Sequence, residues 1–427
     1  MRTARREVAL LTLAVVAGAC AAPVPSVPGA TGVAPSTLPG PDAWLVVGRK
    51  GVAGFEVILA GTLEKAYDLP IGVPDQRWGR LVTATRQGDT TVVRTLVVQP
   101  GFAESRKVAV DGAWRMPTFA SDPVPVGVSL DRSTIVLVED GPSGTTNRTR
   151  LAVLQAPLPP RIIDIPGAFT YDAISRDGRT IYVIEHLAGP PAGHYQVRAV
   201  DAGSGKLKDG VIVDKLKIGE QMAGWPVDQL RDDDGGVLTL YRGAAHPFIH
   251  ALYTTDGYAD CIDLPATGSD DVDAALDWGL APARSAGNVY AVNATLGLVV
   301  EVKPADRAIV RSARITPART AAITLAKFGH IDGGPVGRRV VLAPNGRTIY
   351  AAGAGGIVAI ETDRLTESGR FLAGQAVDAL GVTPDGSTLY GLVRQGGRIV
   401  KIDATAGRFV GDVPGGGYDR LVGVVPW

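Results

Sequence analysis

The stretch Thr383-Pro-Asp-Gly-Ser-Thr-Leu-Tyr390, with the residues that follow it to Asp412, predicts the fold of the chain. Asp385-Gly386 is typical of a tight turn, because glycine adopts positive φ at little steric cost. Residues 389–393 are an apolar run and residues 398–403 alternate between faces, so both fit a pleated, half-buried surface. Two further turns follow these strands, and the whole stretch predicts a four-stranded meander.

Near copies of this turn and strand recur along the chain. Ser175-Arg-Asp-Gly-Arg-Thr-Ile-Tyr182 and Ala343-Pro-Asn-Gly-Arg-Thr-Ile-Tyr350 match it almost residue for residue. Ser129-Leu-Asp-Arg-Ser-Thr-Ile-Val136 is a copy without the glycine, and weaker copies begin at Asp234 and Ala286. Self-similarity at a period of about 40 to 60 residues, with four short strands in each period, is typical of propeller blades.

The repeated unit resembles the YVTN-type β-propeller repeat. In that repeat an Asp-Gly turn precedes a Leu/Ile-Tyr-Val strand, and an Asp-x-x-x-Gly turn follows later. The later turn corresponds here to Asp201-Ala-Gly-Ser-Gly205 and to Asp403-Ala-Thr-Ala-Gly407. The resemblance covers most of the chain after about residue 43. It implies the fold but is nearly silent on function, because propellers include both enzymes and pure binding proteins.

The spacing of the strong strands predicts one all-β domain, a β-propeller over residues 43–427. Eight blades of four strands are expected, with seven as the alternative because the spacings are uneven. The C-terminal run 421–425 has no strand after it, so we expect it to pair into the first blade and close the ring. The first strong strands of the eight blades begin near Trp44, Leu81, Ile135, Ile181, Leu238, Val289, Ile349 and Leu389.

The N-terminus predicts export. A basic start with arginines at positions 2, 5 and 6 precedes a short apolar run over residues 8–19, which is typical of a signal peptide over residues 1–19. Ala17-Gly-Ala-Cys20 resembles a bacterial lipoprotein box and implies Cys20 as the lipidated first residue, although the family prefers leucine where Ala17 stands. The same small residues fit an ordinary cleavage site, so a secreted chain is the alternative.

Residues 20–42 predict a flexible tether, because they are rich in Pro, Ala, Gly, Ser and Thr and carry no charge before Asp42. A lipid on Cys20 would then hold the ring on the outer face of the cell membrane or in the periplasm. The chain has 43 basic and 43 acidic side chains, and this balance provides no basic footprint for nucleic-acid binding.

The candidate metal ligands belong to one acidic cluster and two histidines: Asp232, Asp233, Asp234, His246 and His250. The histidines are four residues apart, which on a strand means about 13 Å, too far to share one zinc ion. The acidic cluster does not match a calcium-binding loop. We therefore expect structural or solvated roles, with a metal site as the alternative, and no cofactor. Cys261 is expected to be a small packed residue, or otherwise a reactive thiol.

Two functions are compatible with this sequence. The first is a non-enzymatic binding or scaffolding module for a protein, glycan or small ligand. The alternative is an enzyme, a lactonase-like hydrolase or a cofactor-dependent oxidoreductase, whose site lies at the central channel. Six charged residues are the candidates for lining that channel: Asp172, Asp228, Asp277, Arg338, Arg339 and Asp378.

Overall fold

The repeated sequence unit folds into a β-propeller. The computed structural model describes residues 43–98, 102–119, 123–141, 147–187, 193–212, 222–232, 235–243, 246–265, 274–275, 277–285, 287–319 and 336–426. These residues form eight four-stranded antiparallel sheets. The prediction of an all-β ring of eight blades is therefore confirmed, and the seven-bladed alternative is wrong. The proposed signal peptide, Cys20 and the tether lie outside the described residues.

Blades 1 to 4 cover the first half of the ring. Blade 1 consists of β32 (Tyr418–Pro426), β1 (Ala43–Arg49), β2 (Phe55–Leu59) and β3 (Lys65–Leu69). Blade 2 consists of β4 (Val73–Pro74), β5 (Arg80–Gln87), β6 (Thr90–Val97) and β7 (Ala103–Asp111). Blade 3 consists of β8 (Trp114–Arg115), β9 (Thr134–Glu139), β10 (Arg148–Gln155) and β11 (Arg161–Pro166). Blade 4 consists of β12 (Phe169–Ile174), β13 (Thr180–His186), β14 (His194–Asp201) and β15 (Met222–Ala223).

Blades 5 to 8 cover the second half. Blade 5 consists of β16 (Trp225–Arg231), β17 (Val237–Arg242), β18 (Pro247–Tyr253) and β19 (Tyr258–Asp263). Blade 6 consists of β20 (Trp278–Pro282), β21 (Val289–Asn293), β22 (Leu298–Lys303) and β23 (Ala308–Arg314), with a 3-10 turn at Pro304–Asp306. Blade 7 consists of β24 (Val340–Leu342), β25 (Thr348–Gly353), β26 (Gly356–Glu361) and β27 (Thr366–Phe371). Blade 8 consists of β28 (Val377–Val382), β29 (Thr388–Val393), β30 (Arg398–Asp403) and β31 (Arg408–Asp412).

The C-terminal strand closes the ring, as predicted. β1 pairs with β2 on one side and with β32 on the other, so β32 supplies the inner strand of blade 1. The first strands of neighbouring blades contact one another, with β28 against β32, β24 against β28 and β20 against β24. These strands therefore surround the axis of the ring. Within the described part of the chain, no helix is long and apolar enough to cross a membrane.

The turn between the first and second strand of a blade follows the chemistry of the repeat. In blade 8 the Thr383 hydroxyl donates to the Asp385 carboxylate at 2.5 Å, and the Ser387 N–H donates to the same carboxylate at 3.0 Å. Gly386 has a φ of +75°, which a residue with a side chain rarely adopts. In the blade 3 copy that lacks the glycine, Arg132 takes this conformation with a φ of 60°.

The tyrosine of the repeat links neighbouring blades. Tyr390 of blade 8 is fully buried, and its hydroxyl donates to the Ala60 carbonyl of blade 1 at 2.9 Å. Tyr182 of blade 4 likewise donates to the carbonyl of Thr254, in blade 5, at 2.8 Å. The aromatic ring of each tyrosine fills space between two sheets, and its hydroxyl is hydrogen-bonded, which is the usual arrangement for a buried tyrosine.

Candidate functional site

The six candidate channel residues lie on the inner strands or directly before them. Asp172, Asp228 and Asp378 belong to β12, β16 and β28, whereas Asp277 precedes β20 and the two arginines precede β24. β12 and β28 each contain a register shift at the aspartate, since Asp172 and Asp378 fall between successive paired residues. Such bulges redirect a side chain and occur often beside functional sites.

Two of the candidate carboxylates accept hydrogen bonds from buried groups of the protein. Asp228 accepts hydrogen bonds from the backbone N–H of Gln229 at 2.8 Å and of Leu280 at 2.7 Å, and the second bond connects blade 5 to blade 6. Asp277 accepts from the Arg339 guanidinium at 2.9 Å and from the Thr295 hydroxyl at 2.6 Å.

These bonds span three consecutive blades. Asp228 lies on blade 5, Asp277 precedes the first strand of blade 6, and Arg339 precedes the first strand of blade 7. All three side chains are buried. A buried charge is stable only when it is paired or hydrogen-bonded, and here each one binds a neighbouring blade. The geometry therefore gives Asp228, Asp277 and Arg339 a structural role that holds consecutive blades together.

A second group of polar side chains surrounds Gln229 on the inner strand β16. The Gln229 amide nitrogen lies 3.5 Å from the Asp172 carboxylate, and the Arg231 guanidinium donates to the Gln229 side-chain oxygen at 3.3 Å. Arg338 reaches from the start of blade 7 and donates to the Gln229 backbone carbonyl at 3.2 Å. Blades 4, 5 and 7 thus contribute to one cluster, which we name the channel cluster: Asp172, Gln229, Arg231 and Arg338.

Asp172 is the titratable acid of the channel cluster. Its side chain is buried, with 3% of the residue exposed. Burial raises the pKa of Asp172 to about 6, and the nearby Arg231 guanidinium and the Gln229 amide oppose this rise only in part. An acid whose pKa lies near neutrality can give or take a proton under ordinary conditions, which is the requirement for general acid–base chemistry.

Asp378 belongs to a pocket at the ring closure. The Arg394 guanidinium holds its carboxylate through the Nε atom at 2.9 and 3.0 Å and through a further Nη2 contact. The pocket has a volume of about 410 Å³ and lies where blade 8 meets blade 1. We name it the closure pocket, and its lining residues are Lys50, Val336, Asp378, Leu392, Arg394, Gly396, Gly397, Gly417, Tyr418 and Asp419.

The closure pocket opens at the face of the ring opposite the Asp-Gly turns. Lys50 follows β1, and Gly396 and Gly397 connect β29 to β30, so these residues lie at the end of the strands away from the turn at 383–387. Arg49 stacks on the Tyr418 ring, with 4.4 Å between the guanidinium carbon and the ring centroid. Cations, a carboxylate and glycine backbone therefore surround a concave surface, which is the composition of a site for a polar ligand.

The candidate metal ligands are distributed over different parts of blade 5. Asp232 follows β16, whereas His246 precedes β18, so the two lie at opposite ends of β17. The His246 Nδ1 lies 3.6 Å from the Asp263 carboxylate, and His250 is buried within β18. Asp233 and Asp234 lie outside the described residues. In the described ranges, no three His, Cys, Asp or Glu side chains come together as a metal site.

The residues that the sequence did not single out are Gln229, Arg231 and Met222. Gln229 and Arg231 complete the channel cluster, and Met222 lies beside Cys261 at the seam of blades 4 and 5. The alternation of β16 places Gln229 and Arg231 on one face, two residues apart, and this is the one sequence signal that could have connected them. The Cys261 thiol has intermediate exposure.

The fold defines the chain as an eight-bladed β-propeller. A scan against protein-family models and a search of curated proteins found no match. Solved structures do match. Apo AztD from Citrobacter koseri is 12% identical, with a TM-score of 0.51 over 90% of this chain and 98% of that chain. The dihydro-heme d1 dehydrogenase NirN in complex with DHE is 14% identical, with a TM-score of 0.52 over 90% of this chain and 75% of that chain.

A third similar structure is the periplasmic gluconolactonase PpgL of Pseudomonas aeruginosa. It is 16% identical, with a TM-score of 0.42 over 80% of this chain and 98% of that chain. At these identities the three likenesses concern the fold alone, because one propeller fold supports many unrelated activities. What this chain does must therefore be argued from its own residues.

Proposed function

We propose that the chain is an exported lipoprotein, anchored through Cys20, whose propeller binds a protein, glycan or small ligand without transforming it. The closure pocket is the binding surface in this proposal. One contrast carries this proposal. The buried charges of Asp228, Asp277 and Arg339 are engaged across blades 5 to 7, whereas the pocket at the seam of blades 8 and 1 is open and has mixed charge. The basic start, the apolar run and the small residues before Cys20 support export and anchoring.

The pocket suits a polar partner that carries both signs of charge. Lys50 presents an exposed cation and Asp419 a half-buried carboxylate, and the buried Tyr418 forms part of the pocket wall beside them. Glycine at positions 396, 397 and 417 leaves the backbone accessible, so a partner can approach main-chain groups as well as side chains. A site built from a few polar groups around a preformed concavity binds by complementarity and needs no reactive group.

Photo-cross-linking on intact producing cells tests this proposal. A photoreactive amino acid replaces Lys50 in one variant and Lys206 in a matched control, where Lys206 is an exposed lysine in the turn that follows β14. We expect one reproducible adduct from position 50 and none from position 206. The same experiment with Cys20→Ser should release the protein from the membrane and reduce the adduct. Equal labelling from both positions would contradict the closure pocket as the binding surface.

An enzyme with its site in the channel is the second candidate, and the pKa of Asp172 favours it. A buried acid with a pKa of about 6, in a cluster that also contains the Arg231 and Arg338 side chains, could act on a substrate that carries a negative charge. Asp172→Asn would then abolish turnover while leaving closure-pocket adducts unchanged. Closure-pocket adducts in the unmodified protein, with no substrate turnover, would instead support the binding function alone.

A further inference from the structure

Three soft or borderline metal donors meet at the seam between blades 4 and 5. The Cys261 Sγ in β19 lies 3.7 Å from the His250 Nδ1 in β18 and 3.9 Å from the Met222 Sδ in β15. His250 and Cys261 are directly opposite each other in the β18–β19 ladder, so the strand register fixes their contact. Met222 comes from the outer strand of the neighbouring blade and brings the second sulfur.

The two separations match the geometry of ligands around one metal ion. Metal–nitrogen bonds to histidine are about 2.0 Å and metal–sulfur bonds to cysteine about 2.3 Å. In a trigonal arrangement these bond lengths place a nitrogen and a sulfur about 3.7 Å apart and two sulfurs about 4.0 Å apart. The measured values are 3.7 and 3.9 Å, so the Cys261 sulfur is spaced from each of the other two donors as in a three-coordinate site.

The surroundings of the three donors are apolar and aromatic. His250 is 1% exposed, and the rings of Tyr195 and Tyr241 meet its ring edge-on at 6.4 and 6.2 Å between centroids. Tyr195 and Tyr241 stack on each other at 4.9 Å. Burial of net charge in such surroundings is costly. One thiolate neutralises a monovalent ion, whereas the same three ligands would leave a divalent ion with a net positive charge.

The donor set also selects the element. A thiolate and a thioether are soft ligands, which favour Cu(I), and an imidazole completes a three-coordinate site. We propose that Met222, His250 and Cys261 bind one Cu(I) ion at the seam of blades 4 and 5. The metal enters already reduced, so no electron is transferred. The Cys261 thiol loses its proton to solvent, and the resulting copper–thiolate pair is neutral.

The site is reachable from outside the fold. Cys261 and Met222 are both half-buried, whereas His250 is buried behind them. The sulfurs are therefore the first ligands that an incoming ion meets, and the histidine completes the coordination from the interior. The proposal is independent of the closure pocket, which lies at the seam of blades 8 and 1, so either proposal can fail without the other.

Copper competition under anaerobic conditions tests the site. The full chain carries Cys20→Ser, so Cys261 is its single cysteine. Cu(I) is supplied as its coloured bicinchoninate complex, and the protein should remove one equivalent and bleach the colour. Cys261→Ser should abolish this competition, and Met222→Leu should weaken it at least tenfold. X-ray absorption should show one nitrogen at about 2.0 Å and two sulfurs at about 2.3 Å from the metal.

Matched controls separate ligation from folding. His246→Gln changes a histidine of the same blade that faces Asp263, and Met116→Leu changes a buried methionine of another blade. Both controls should compete for copper as well as the parent chain does, and circular dichroism should confirm that each variant is folded. The proposal is overturned if the parent chain leaves the bicinchoninate complex intact, if Cys261→Ser competes equally, or if the chain takes up Zn²⁺ in preference to Cu(I).

Discussion

Blade 5 and blade 8 are both four-stranded meanders, but they treat their charged residues differently. Blade 8 is the best copy of the sequence repeat, and two of its aspartates act within the blade: Asp385 orders the turn and Asp378 pairs with Arg394. Blade 5 departs from the repeat, and its charges extend to other blades. Asp228 binds blade 6, and Gln229 and Arg231 reach Asp172 of blade 4. The metal donors His250 and Cys261 also lie in blade 5.

This difference has a physical basis. The repeat prescribes what every blade needs, namely a turn with positive φ, a buried tyrosine and an apolar strand. Residues that match the repeat are engaged in interactions that stabilise the fold. A blade that departs from the repeat must have other interactions that maintain its structure, and such departures concentrate at functional sites. In this ring, the departing blade contributes Gln229 and Arg231 to the channel cluster and His250 and Cys261 to the proposed copper site.

The largest expected effect comes from exchanging the inner-strand aspartates of blades 5 and 8, Asp228 and Asp378, for alanine. Asp228→Ala should lower the free energy of unfolding by about 3 kcal/mol, because two buried N–H groups lose a charged acceptor. Asp378→Ala should cost about 1 kcal/mol, since the Arg394 side chain is 36% exposed and water can replace its partner. Urea titration of both variants measures the difference. Equal losses would remove the distinction between the blades.

The second prediction concerns the pH dependence of Asp172, which contacts blade 5. Its folded-state pKa of about 6 lies above the unfolded value of about 3.9. The folded protein therefore holds a proton that the unfolded chain releases, so stability falls as pH rises from about 4 to 6. Asp172→Asn removes this loss and should stabilise the protein at pH 7.5 by roughly 2 kcal/mol, with no gain below pH 4.

Blade 8 supplies the control for this titration. The Thr383 hydroxyl, followed by the Ser387 groups, lowers the pKa of Asp385, so its contribution to stability is present at neutral pH and is lost as pH falls through the folded-state pKa. The free energy of unfolding of each variant minus that of the parent chain should therefore change with pH in opposite directions: it falls with rising pH for Asp385→Asn and rises for Asp172→Asn. Unfolding measured between pH 3 and 8 checks both slopes. Parallel profiles would show that the surroundings of the two carboxylates do not differ as described.

The sequence predicted the ring because the determinants of each blade are local. Asp385, Gly386 and Tyr390 lie within six residues of one another, and the same short pattern recurs in other blades. The closing strand, an apolar run at 421–425 beyond the fourth strand of blade 8, was predicted as well. The anchor at Cys20 and the tether remain predictions.

The candidate site was less accessible from the sequence. The six candidate residues lie on inner strands or directly before them, and their lining of the channel remains a prediction. Most of their partners were not predicted, because those come from other blades. Arg338 and Gln229 are separated by 109 positions, and no local pattern reports such a contact. Met222 and Cys261 are 39 positions apart and meet only because blades 4 and 5 pack together. Long-range contacts of this kind depend on the three-dimensional packing of side chains.

The smallest effect is expected at the turn that defines the repeat. Asp385→Ala removes the acceptor for the Thr383 hydroxyl and the Ser387 N–H and should cost about 1 kcal/mol, because the turn is solvent-exposed. Asp385→Asn should cost clearly less, since Asn345 fills this role in blade 7, where it accepts the Arg347 N–H at 2.9 Å. Thermal unfolding of the two variants makes the comparison. Equal losses would mean that the negative charge, rather than the oxygen acceptor, stabilises the turn. Asn345 would then be tolerated in blade 7 only because other interactions of that turn compensate for the missing charge.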